Sequence, residues 1–211
     1  AVEIKRAEGM WHVTVEDTIT GRRDAIRART IVNAAGPWVE DILKREAGID
    51  ARAGVRLVQG SHIVVRKLYA HARAYMFQNE DGRIAFVIPF EGKWSLIGTT
   101  DVPVDTPEEA VDITPAETRY LIEAVNRYLV KPISEADVAW TFAGVRPLYD
   151  DGQSDPSSIT RDYVLELDDE AGKAPVLSLF GGKITTYRRL AETALAKLAP
   201  FLPPMGAKWT K

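Results

Sequence analysis

The sequence contains no cysteine, which excludes disulfide bonds, thiolate metal sites and cysteine nucleophiles. No apolar run approaches the roughly 20 residues that a membrane-spanning helix requires. The first residues are typical of a β-strand and do not have the pattern of a secretory signal. Only three histidines are present, and no cluster of histidines and carboxylates has the spacing of metal ligands. We therefore expect a protein without thiol chemistry and without a metal centre.

Glycine-rich phosphate loops are missing as well. None of the 15 glycines is separated from another by a single residue, so the sequence has no G-x-G-x-x-G fingerprint. It has no Gly-Lys-Ser/Thr phosphate loop and no G-x-S-x-G nucleophile elbow. A hydrolase or a phosphate-loop nucleotide-binding protein therefore has no support.

A basic surface is also lacking, since the net charge of the 211 residues is −3. Residues 1–70 carry 12 basic and 9 acidic side chains, whereas residues 101–180 carry 6 basic and 17 acidic ones. Nucleic-acid affinity comes mainly from neutralising phosphates with lysine and arginine. The acidic middle of the chain offers no continuous basic track, so nucleic acid is not an expected partner.

Hydrophobic periodicity predicts an α/β unit at the beginning of the chain. Residues 10–17 alternate apolar and polar side chains and are predicted to form a hairpin with residues 24–29. A short apolar strand, 30–32, is followed by small residues. A helix is predicted from Pro37 to about Ala47, with Gly48 ending it.

The middle of the chain is predicted to be an antiparallel sheet with one helix. A capping box at Thr114 and Glu117, with Pro115 in the first turn, predicts the start of that helix. After it, strand patterns return, and the last apolar strand runs into a helix from about Thr185 to Leu198. The predicted strands from the middle onward cover residues 55–65, 74–78, 83–90, 94–100, 137–146, 162–167 and 174–180.

Two segments place small residues at the carboxyl end of a predicted strand. In 32–36 (VNAAG) and in Gly181-Gly182-Lys183, such residues allow close approach of the backbone to a ligand, and Lys183 adds a positive charge. An ordinary strand-to-helix turn is the alternative interpretation of each segment when it is taken alone.

Two arginines and one histidine are further candidates. Arg146 and Arg161 stand in the acidic middle, and two guanidinium groups in one cleft would bind a phosphate or a carboxylate bidentately. The alternative is that each arginine pairs with a neighbouring aspartate. His62 lies between a glycine and an apolar strand and is a candidate general base, although a lone histidine is more often structural.

Six motifs follow one another along nearly the whole chain: TIVNAAGPWV, VRLVQGSHIVV, QNEDGRIAFVIPFEGKWSLIGTTD, FAGVRPLYDD, SITRDYVLE and LFGGKITTYRRLAE. In this order the motifs resemble the FAD-dependent, quinone-linked glycerol-3-phosphate dehydrogenases, within the D-amino-acid-oxidase-like flavoproteins. The resemblance implies an α+β fold, with α/β cofactor-domain portions flanking an antiparallel-sheet substrate domain.

The resemblance implies oxidation of glycerol 3-phosphate to dihydroxyacetone phosphate, with hydride transfer to FAD and electrons passed to quinone. His62 would be the base, Arg146 and Arg161 would bind the phosphate, and Lys183 would stabilise reduced flavin. Thr99 would join the two arginines in contacting the substrate. The implied cofactor-binding residues are Asn33, Ala34, Ala35, Gly36, Trp38, Gly181, Gly182, Lys183 and Thr185.

The missing glycine fingerprint indicates an internal fragment of such an enzyme, without its dinucleotide-binding motif and C-terminal domain. We expect residues 1–47 and 160–211 to belong to the FAD domain, 160–211 ending in a linker, and residues 48–159 to the substrate domain. The fragment alone is expected to be inactive and not to retain FAD. The resemblance implies a cytoplasmic enzyme, peripheral on the inner membrane through parts outside this chain.

Two alternatives to this function stay open. Another amine or 2-hydroxyacid oxidoreductase of the same superfamily would need one arginine for a carboxylate rather than two for a phosphate. A non-catalytic module that binds a phosphorylated ligand would use the same arginines together with Lys183.

Overall fold

The computed structural model describes residues 1–50, 53–109, 112–150, 162–170, 173–207 and 209–210. The chain divides into two compact units. The first consists of the described parts of Ala1–Arg56, Pro147–Gly152 and Ile159–Lys211, and the second of the described parts of Leu57–Arg146.

The predicted strands are present with small shifts at their ends, and β9 is a short strand in addition to them. The strands are β1 Glu3–Ala7, β2 Met10–Glu16, β3 Arg23–Ala28, β4 Ile31–Asn33, β5 Val55–Arg66, β6 Tyr75–Gln78, β7 Ile84–Phe90, β8 Trp94–Gly98, β9 Val102–Val104, β10 Val138–Tyr149, β11 Tyr163–Asp168 and β12 Val176–Gly181. The α-helices are α1 Val39–Asp41, α2 Pro115–Asn126 and α3 Tyr187–Leu198, and short 3-10 turns cover Gly36–Trp38, Pro107–Glu109, Glu135–Asp137, Ile184–Thr186 and Ala199–Phe201.

The first unit contains two three-stranded sheets. In one, β2 pairs with both β1 and β3, which confirms the predicted hairpin between β2 and β3. Positive φ angles at Glu8 and Gly9 divide the first predicted strand into β1 and β2. In the other sheet, β12 is antiparallel to β11 and parallel to β4. The buried side chains of Trp11, Val39 and Phe180 are central to the core of this unit.

The helical segment after β4 differs from the uniform helix that the pattern predicts. It begins as the 3-10 turn Gly36–Trp38, passes through α1, and continues as a π-helix over Ile42–Ala47. Gly48 ends it with a φ of 65°, as predicted, because glycine adopts this left-handed conformation at low cost.

The second unit is a sheet in the order β10-β5-β8-β7-β6, and β9 pairs with β5 beyond the end of β8. The antiparallel pairing of β6, β7 and β8 confirms the predicted meander. Along β7 the residues alternate between faces, so Ala85 and Val87 are buried whereas Phe86 and Ile88 are exposed.

Helix α2 packs against the buried face of this sheet. Its Leu121 and Val125 belong to the same core cluster as Val87. The predicted capping box is present, with Thr114 and Glu117 exchanging side-chain and backbone hydrogen bonds. Within the described residues, no helix is long and apolar enough to cross a membrane.

Candidate functional site

In the second unit, strand β5 pairs first with β9 and then with β8. A bulge interrupts the pairing between these two partner strands. His62 is paired with Gly98 of β8, and Gln59 is paired with Val102 of β9. Two residues of β5 therefore face the three-residue segment Thr99–Asp101 on the opposite side. One extra residue in a ladder bends the strand and redirects its side chains, an arrangement frequent beside functional sites.

The bulge, defined as Thr99–Asp101, binds the guanidinium group of Arg146 through all three of its residues. Asp101 forms a close ion pair with Nη1 of Arg146. Nη2 donates to Oγ1 of Thr99 at 2.9 Å and to the carbonyl oxygen of Thr100 at 2.7 Å. Contacts with described residues thus account for three of the five N–H donors of a guanidinium group, whose side chain is 26% exposed.

The guanidinium group lies directly above Gly60. A Cβ atom at position 60 would lie 1.9 Å from Nη2 of Arg146 and 2.8 Å from Oγ1 of Thr99. Any side chain at this position would therefore displace Arg146. Because Gly60 has no side chain, the guanidinium group of Arg146 can occupy this space.

His62 is held between Gly98 and Phe142. A Cβ atom on Gly98 would lie 2.2 Å from Cδ2 of His62, and the Phe142 ring stacks on the imidazole with 4.9 Å between centroids. Nδ1 of His62 is buried and has no hydrogen-bond partner among the described residues. Burial, and secondly the positive charge of Arg146, lower the pKa of His62 below its usual 6.5.

This arrangement combines a fixed cation with a neutral imidazole. At neutral pH an imidazole with a lowered pKa is deprotonated, so it can accept a proton. Arg146 remains positively charged under all physiological conditions and can bind an anion. The second unit therefore has the components to hold an anionic substrate and to deprotonate it.

In the first unit, β4 and β12 are parallel, so their carboxyl ends lie at the same edge of the sheet. This edge carries the small residues predicted to approach a ligand, Asn33–Gly36 after β4 and Gly181–Gly182 at the end of β12. Asn33 is buried and its side chain secures the turn, because Nδ2 donates to the carbonyl oxygen of Val39 and Oδ1 accepts from the amide of Ala35.

Gly181, the last residue of β12, and Gly182, which follows it, adopt conformations that other residues disfavour. Gly181 has a φ of 70° and Gly182 a φ of 102°. A Cβ atom on Gly181 would lie 2.9 Å from the carbonyl oxygen of Asp162. Lys183 and Thr185 follow with exposed side chains. No ion pair or hydrogen bond within the described part of the chain involves the ammonium group of Lys183.

The edge formed by β4 and β12 suits a flat, partly apolar ring. Large apolar side chains are exposed immediately after both strands, Trp38 at 48% and Ile184 at 88%. The glycines leave the backbone accessible, and Lys183 provides a positive charge. These features fit the flavin ring that the sequence predicts at this edge. The sequence has no phosphate-binding glycine loop for the pyrophosphate of FAD.

The structure thus brings His62, Thr99 and Arg146 together in the second unit, and the proposed cofactor-binding residues together in the first. Arg161 lies outside the described residues. Among those described, no group of three or more His, Asp or Glu side chains is arranged for a metal ion.

Sequence reasoning missed Asp101 and Phe142, which contact Arg146 and His62, and it missed that the buried Glu117 accepts a hydrogen bond from Thr100 of the bulge. Asp101 ends the IGTTD motif and Phe142 begins the FAGVRPL motif, so the motifs themselves contained a signal for both. Glu117 was assigned only to the capping box, and its contacts with the bulge depend on tertiary structure.

Comparisons with known proteins identify the family of the chain. A sequence model of the FAD-dependent oxidoreductase family matches residues 1–188. The aerobic glycerol-3-phosphate dehydrogenase of Escherichia coli is 47% identical over the whole chain, which covers 42% of that enzyme. The D-erythritol 1-phosphate dehydrogenase of Brucella abortus is 48% identical over 99% of the chain, which covers 41% of that enzyme. The chain therefore spans about two fifths of the length of these relatives.

A solved structure is similar as well. The glycerol-3-phosphate dehydrogenase of Bacillus halodurans, determined in complex with FAD, superposes with a TM-score of 0.74 and 29% identity. The alignment covers 94% of this chain and 37% of that one. The similarity thus extends across both units of the chain.

Proposed function

Because the chain belongs to the FAD-dependent oxidoreductase family, we propose that the full-length protein containing it oxidises glycerol 3-phosphate to dihydroxyacetone phosphate. The family and the flavoprotein fold are those expected from the sequence, and both are confirmed. The substrate rests on one observation above all. Arg146 and the neutral His62 lie in one cluster, where a phosphate and a hydroxyl of the same small molecule can be bound.

We assign the cofactor to the first unit and the substrate to the second. Asn33, Ala34, Ala35, Gly36 and Trp38, with Gly181–Lys183 and Thr185, would hold the flavin ring of FAD. When bound, FAD supplies the chemistry of accepting a hydride from a carbon atom. Lys183 would place its positive charge near the ring, where it favours the reduced, anionic form.

The second unit would bind and deprotonate the substrate. Arg146, with Arg161 as its proposed partner, would bind the phosphate and orient the secondary alcohol, which contributes proximity rather than bond-making. Thr99 would contact the same substrate. His62 would take the hydroxyl proton at Nε2, because Nδ1 is buried. Loss of that proton from oxygen, together with loss of the hydrogen on the same carbon as a hydride to bound FAD, would convert the alcohol into the carbonyl of the product.

Electron transfer to a membrane quinone is a further part of the proposal and rests on the sequence resemblance. The same resemblance supports a cytoplasmic enzyme that is peripheral on the inner membrane, in contact with it through parts outside this chain.

D-erythritol 1-phosphate is a second candidate substrate, favoured by the 48% identity to the Brucella enzyme. Both candidates are polyol phosphates and would use the same arginines and base. Steady-state kinetics of the full-length protein with an artificial electron acceptor separates them. We expect glycerol 3-phosphate to have the higher kcat/KM.

Arginine variants test the phosphate assignment. Arg146→Ala and Arg161→Ala are each expected to lower kcat/KM for phosphorylated substrates by about 100-fold or more, because a charge-assisted hydrogen bond to phosphate is lost. Arg127→Ala, on the exposed C-terminal end of α2, is the matched control and should be neutral. Turnover of glycine or a 2-hydroxyacid in preference to both polyol phosphates would contradict the proposed function.

A further inference from the structure

One buried carboxylate has no role in the reaction as described so far. Glu117 is only 6% exposed, and no lysine or arginine within the described residues forms an ion pair with it. Its carboxylate instead accepts hydrogen bonds from neutral groups. Burying an unpaired charge is costly unless hydrogen bonds satisfy it, so such a residue calls for an explanation.

The partners of Glu117 come from three separate segments. Oε1 accepts from Oγ of Ser61 at 2.7 Å and from Oγ1 of Thr100 at 2.6 Å. Oε2 accepts from the amide and the hydroxyl of Thr114, both at 2.9 Å. Nε2 of Gln59 donates to both oxygens, at 3.3 and 3.0 Å. Capping of α2 requires only the Thr114 contacts, so the others serve something else.

These other contacts converge on the bulge. Thr100 is its central residue, and Oγ1 of Thr100 also accepts from the amide of Ser61 at 2.9 Å. The carbonyl oxygen of the same Thr100 accepts from Nη2 of Arg146. Thr100 therefore links Glu117, through its side chain, to Arg146, through its backbone.

Glu117 and the substrate-binding side chains lie on opposite faces of the sheet. Ser61 alternates with Gly60 and His62 along β5, so it points toward the face that α2 covers. Gly60 and His62 point the other way, toward Arg146 and Phe142. Glu117 thus holds the strand and the bulge from behind and does not contact a substrate.

We propose that Glu117 is a positioning residue that, through Thr100, fixes the bulge Thr99–Asp101 in the shape that orients Arg146 for an anionic substrate group. This inference rests on the proposed function for the identity of the anion. The fixed shape matters because three bonds to Arg146, from Thr99, Thr100 and Asp101, all originate in the bulge. A bulge without an anchor would present the guanidinium in several orientations.

The ionised state of Glu117 supports this role. Burial raises the pKa of Glu117, but hydrogen bonds from Thr100, Thr114 and Ser61 together lower it below its usual 4.5. The first turn of α2 further favours a negative charge at this position. Glu117 is therefore ionised throughout the neutral pH range, and its carboxylate acts only as an acceptor for the hydroxyl groups of Thr100 and Ser61.

Three variants of the full-length protein separate positioning from stability. Thr100→Val removes the hydroxyl at nearly constant volume, and Thr100→Ser retains it as a rescue. Glu117→Gln replaces one acceptor oxygen with a donor. Asn126→Ala is the matched control, because it removes two hydrogen bonds to Ile133 at the other end of α2.

The dissociation constant for inorganic phosphate, measured by calorimetry, and the KM for glycerol 3-phosphate are the primary readouts. We expect Thr100→Val and Glu117→Gln to raise both by about tenfold, with a smaller change in kcat, and Thr100→Ser to restore them. Asn126→Ala should lower the melting temperature and leave both unchanged. If phosphate binding and the KM were unchanged in Thr100→Val and Glu117→Gln, while their melting temperatures fell as in Asn126→Ala, the proposal would be overturned.

Hydrogen exchange distinguishes a failure of this inference from a failure of the proposed function. In Thr100→Val, the amide of Ser61 loses its acceptor and residues 98–102 should exchange faster than in Asn126→Ala. A wild-type protein that neither binds phosphate nor oxidises glycerol 3-phosphate would contradict the proposed function, even with this exchange pattern. Unchanged exchange in an active protein would contradict the role of Glu117.

Discussion

At the scale of single residues, two glycines determine where the side chains of Arg146 and His62 lie. Gly60 leaves room for Arg146, and Gly98 leaves room for His62. Neither glycine has a positive φ, so the lack of space beside it, and not a left-handed backbone, argues for glycine at each position. The sequence alone shows these glycines but not the side chains that fill the space beside them.

The Gly98→Ala variant tests this packing. The added methyl group would lie 2.2 Å from the His62 ring, so the ring must leave its position against Phe142. We expect kcat of the full-length protein to fall by at least tenfold, since misplacement of a base by about 1 Å is costly. Gly92→Ala is a control in open space, although its positive φ costs some stability. Unchanged kcat in Gly98→Ala would show that His62 is not the base.

His62 itself has a testable pH dependence. Its pKa is lowered, so the imidazole stays neutral and able to accept a proton as the pH falls below 6.5. The acidic limb of the kcat/KM profile is therefore expected below pH 6.5 and should disappear in His62→Asn, which also lowers kcat. Binding of a product analogue should change little in His62→Asn. Its loss would identify His62 as a binding residue instead.

The residue assignments show how far sequence reasoning reaches. His62, Thr99 and Arg146 were predicted from motifs, and the structure brings them together. Asp101 contacts Arg146 from 45 positions away in the chain, and Phe142 contacts His62 from 80 positions away. The sequence alone does not reveal contacts between residues so far apart. The alternative that Arg146 pairs with an aspartate is also realised, since Asp101 is that partner.

At the scale of elements, α2 and the sheet beneath it contain both the core and the anchor of the bulge. Leu121 is fully buried among Val87, Ile97 and Val125. Leu121 stabilises the second unit through burial of an apolar side chain, whereas Glu117 stabilises it through hydrogen bonds to an ionised carboxylate. The two contributions therefore respond differently to pH.

Acid titration separates them. Because the folded-state pKa of Glu117 lies below the usual 4.5, its carboxylate stabilises the second unit above that pH, and this stabilisation is lost as the pH falls through the folded-state pKa. Glu117→Gln is expected to lower the free energy of unfolding by about 2 kcal/mol at pH 7, a difference that shrinks toward pH 3. Chemical denaturation of the wild type and of Glu117→Gln at several pH values measures this difference in the free energy of unfolding.

Glu123→Gln, an exposed glutamate of the same helix, is the control and should change little. If the difference between wild type and Glu117→Gln stayed constant from pH 7 to pH 3, the carboxylate of Glu117 would not be the source of the stability.

Most elements were predictable because periodicity and capping residues are local signals. The capping box of α2 and the meander of β6, β7 and β8 are examples. The three-residue strand β9 and the bulge before it were not predicted, since an extra residue in a ladder depends on the partner strand. The π-helical turn Ile42–Ala47 carries no signal in its periodicity.

At the scale of the whole molecule, the two units interleave along the chain. The unit boundaries fall within β5, after Arg56, and within β10, after Arg146. The pattern of elements predicted an α/β part, an antiparallel part and a second α/β part. It could not place the boundaries inside continuous strands, because a strand has the same periodicity on both sides of a boundary.

The 211 residues by themselves are expected to bind FAD weakly or not at all. Their sequence has no G-x-G-x-x-G loop to bind the pyrophosphate, and the edge formed by β4 and β12, where we propose that the flavin ring binds, would supply only part of the contacts. Purification of these residues alone, followed by an absorption spectrum, tests this expectation. A yellow protein with a flavin spectrum would contradict it.

The central claim is that the cluster of His62 and Arg146 oxidises a polyol phosphate with the aid of FAD. Anaerobic addition of glycerol 3-phosphate to the full-length flavoprotein tests it most directly. We predict that the flavin absorbance near 450 nm bleaches with saturation kinetics, that dihydroxyacetone phosphate forms in equal amount, and that Arg146→Ala slows bleaching by about 100-fold at low substrate. A flavin that stays oxidised with glycerol 3-phosphate and with D-erythritol 1-phosphate, but bleaches with an amine or a 2-hydroxyacid, would contradict the claim.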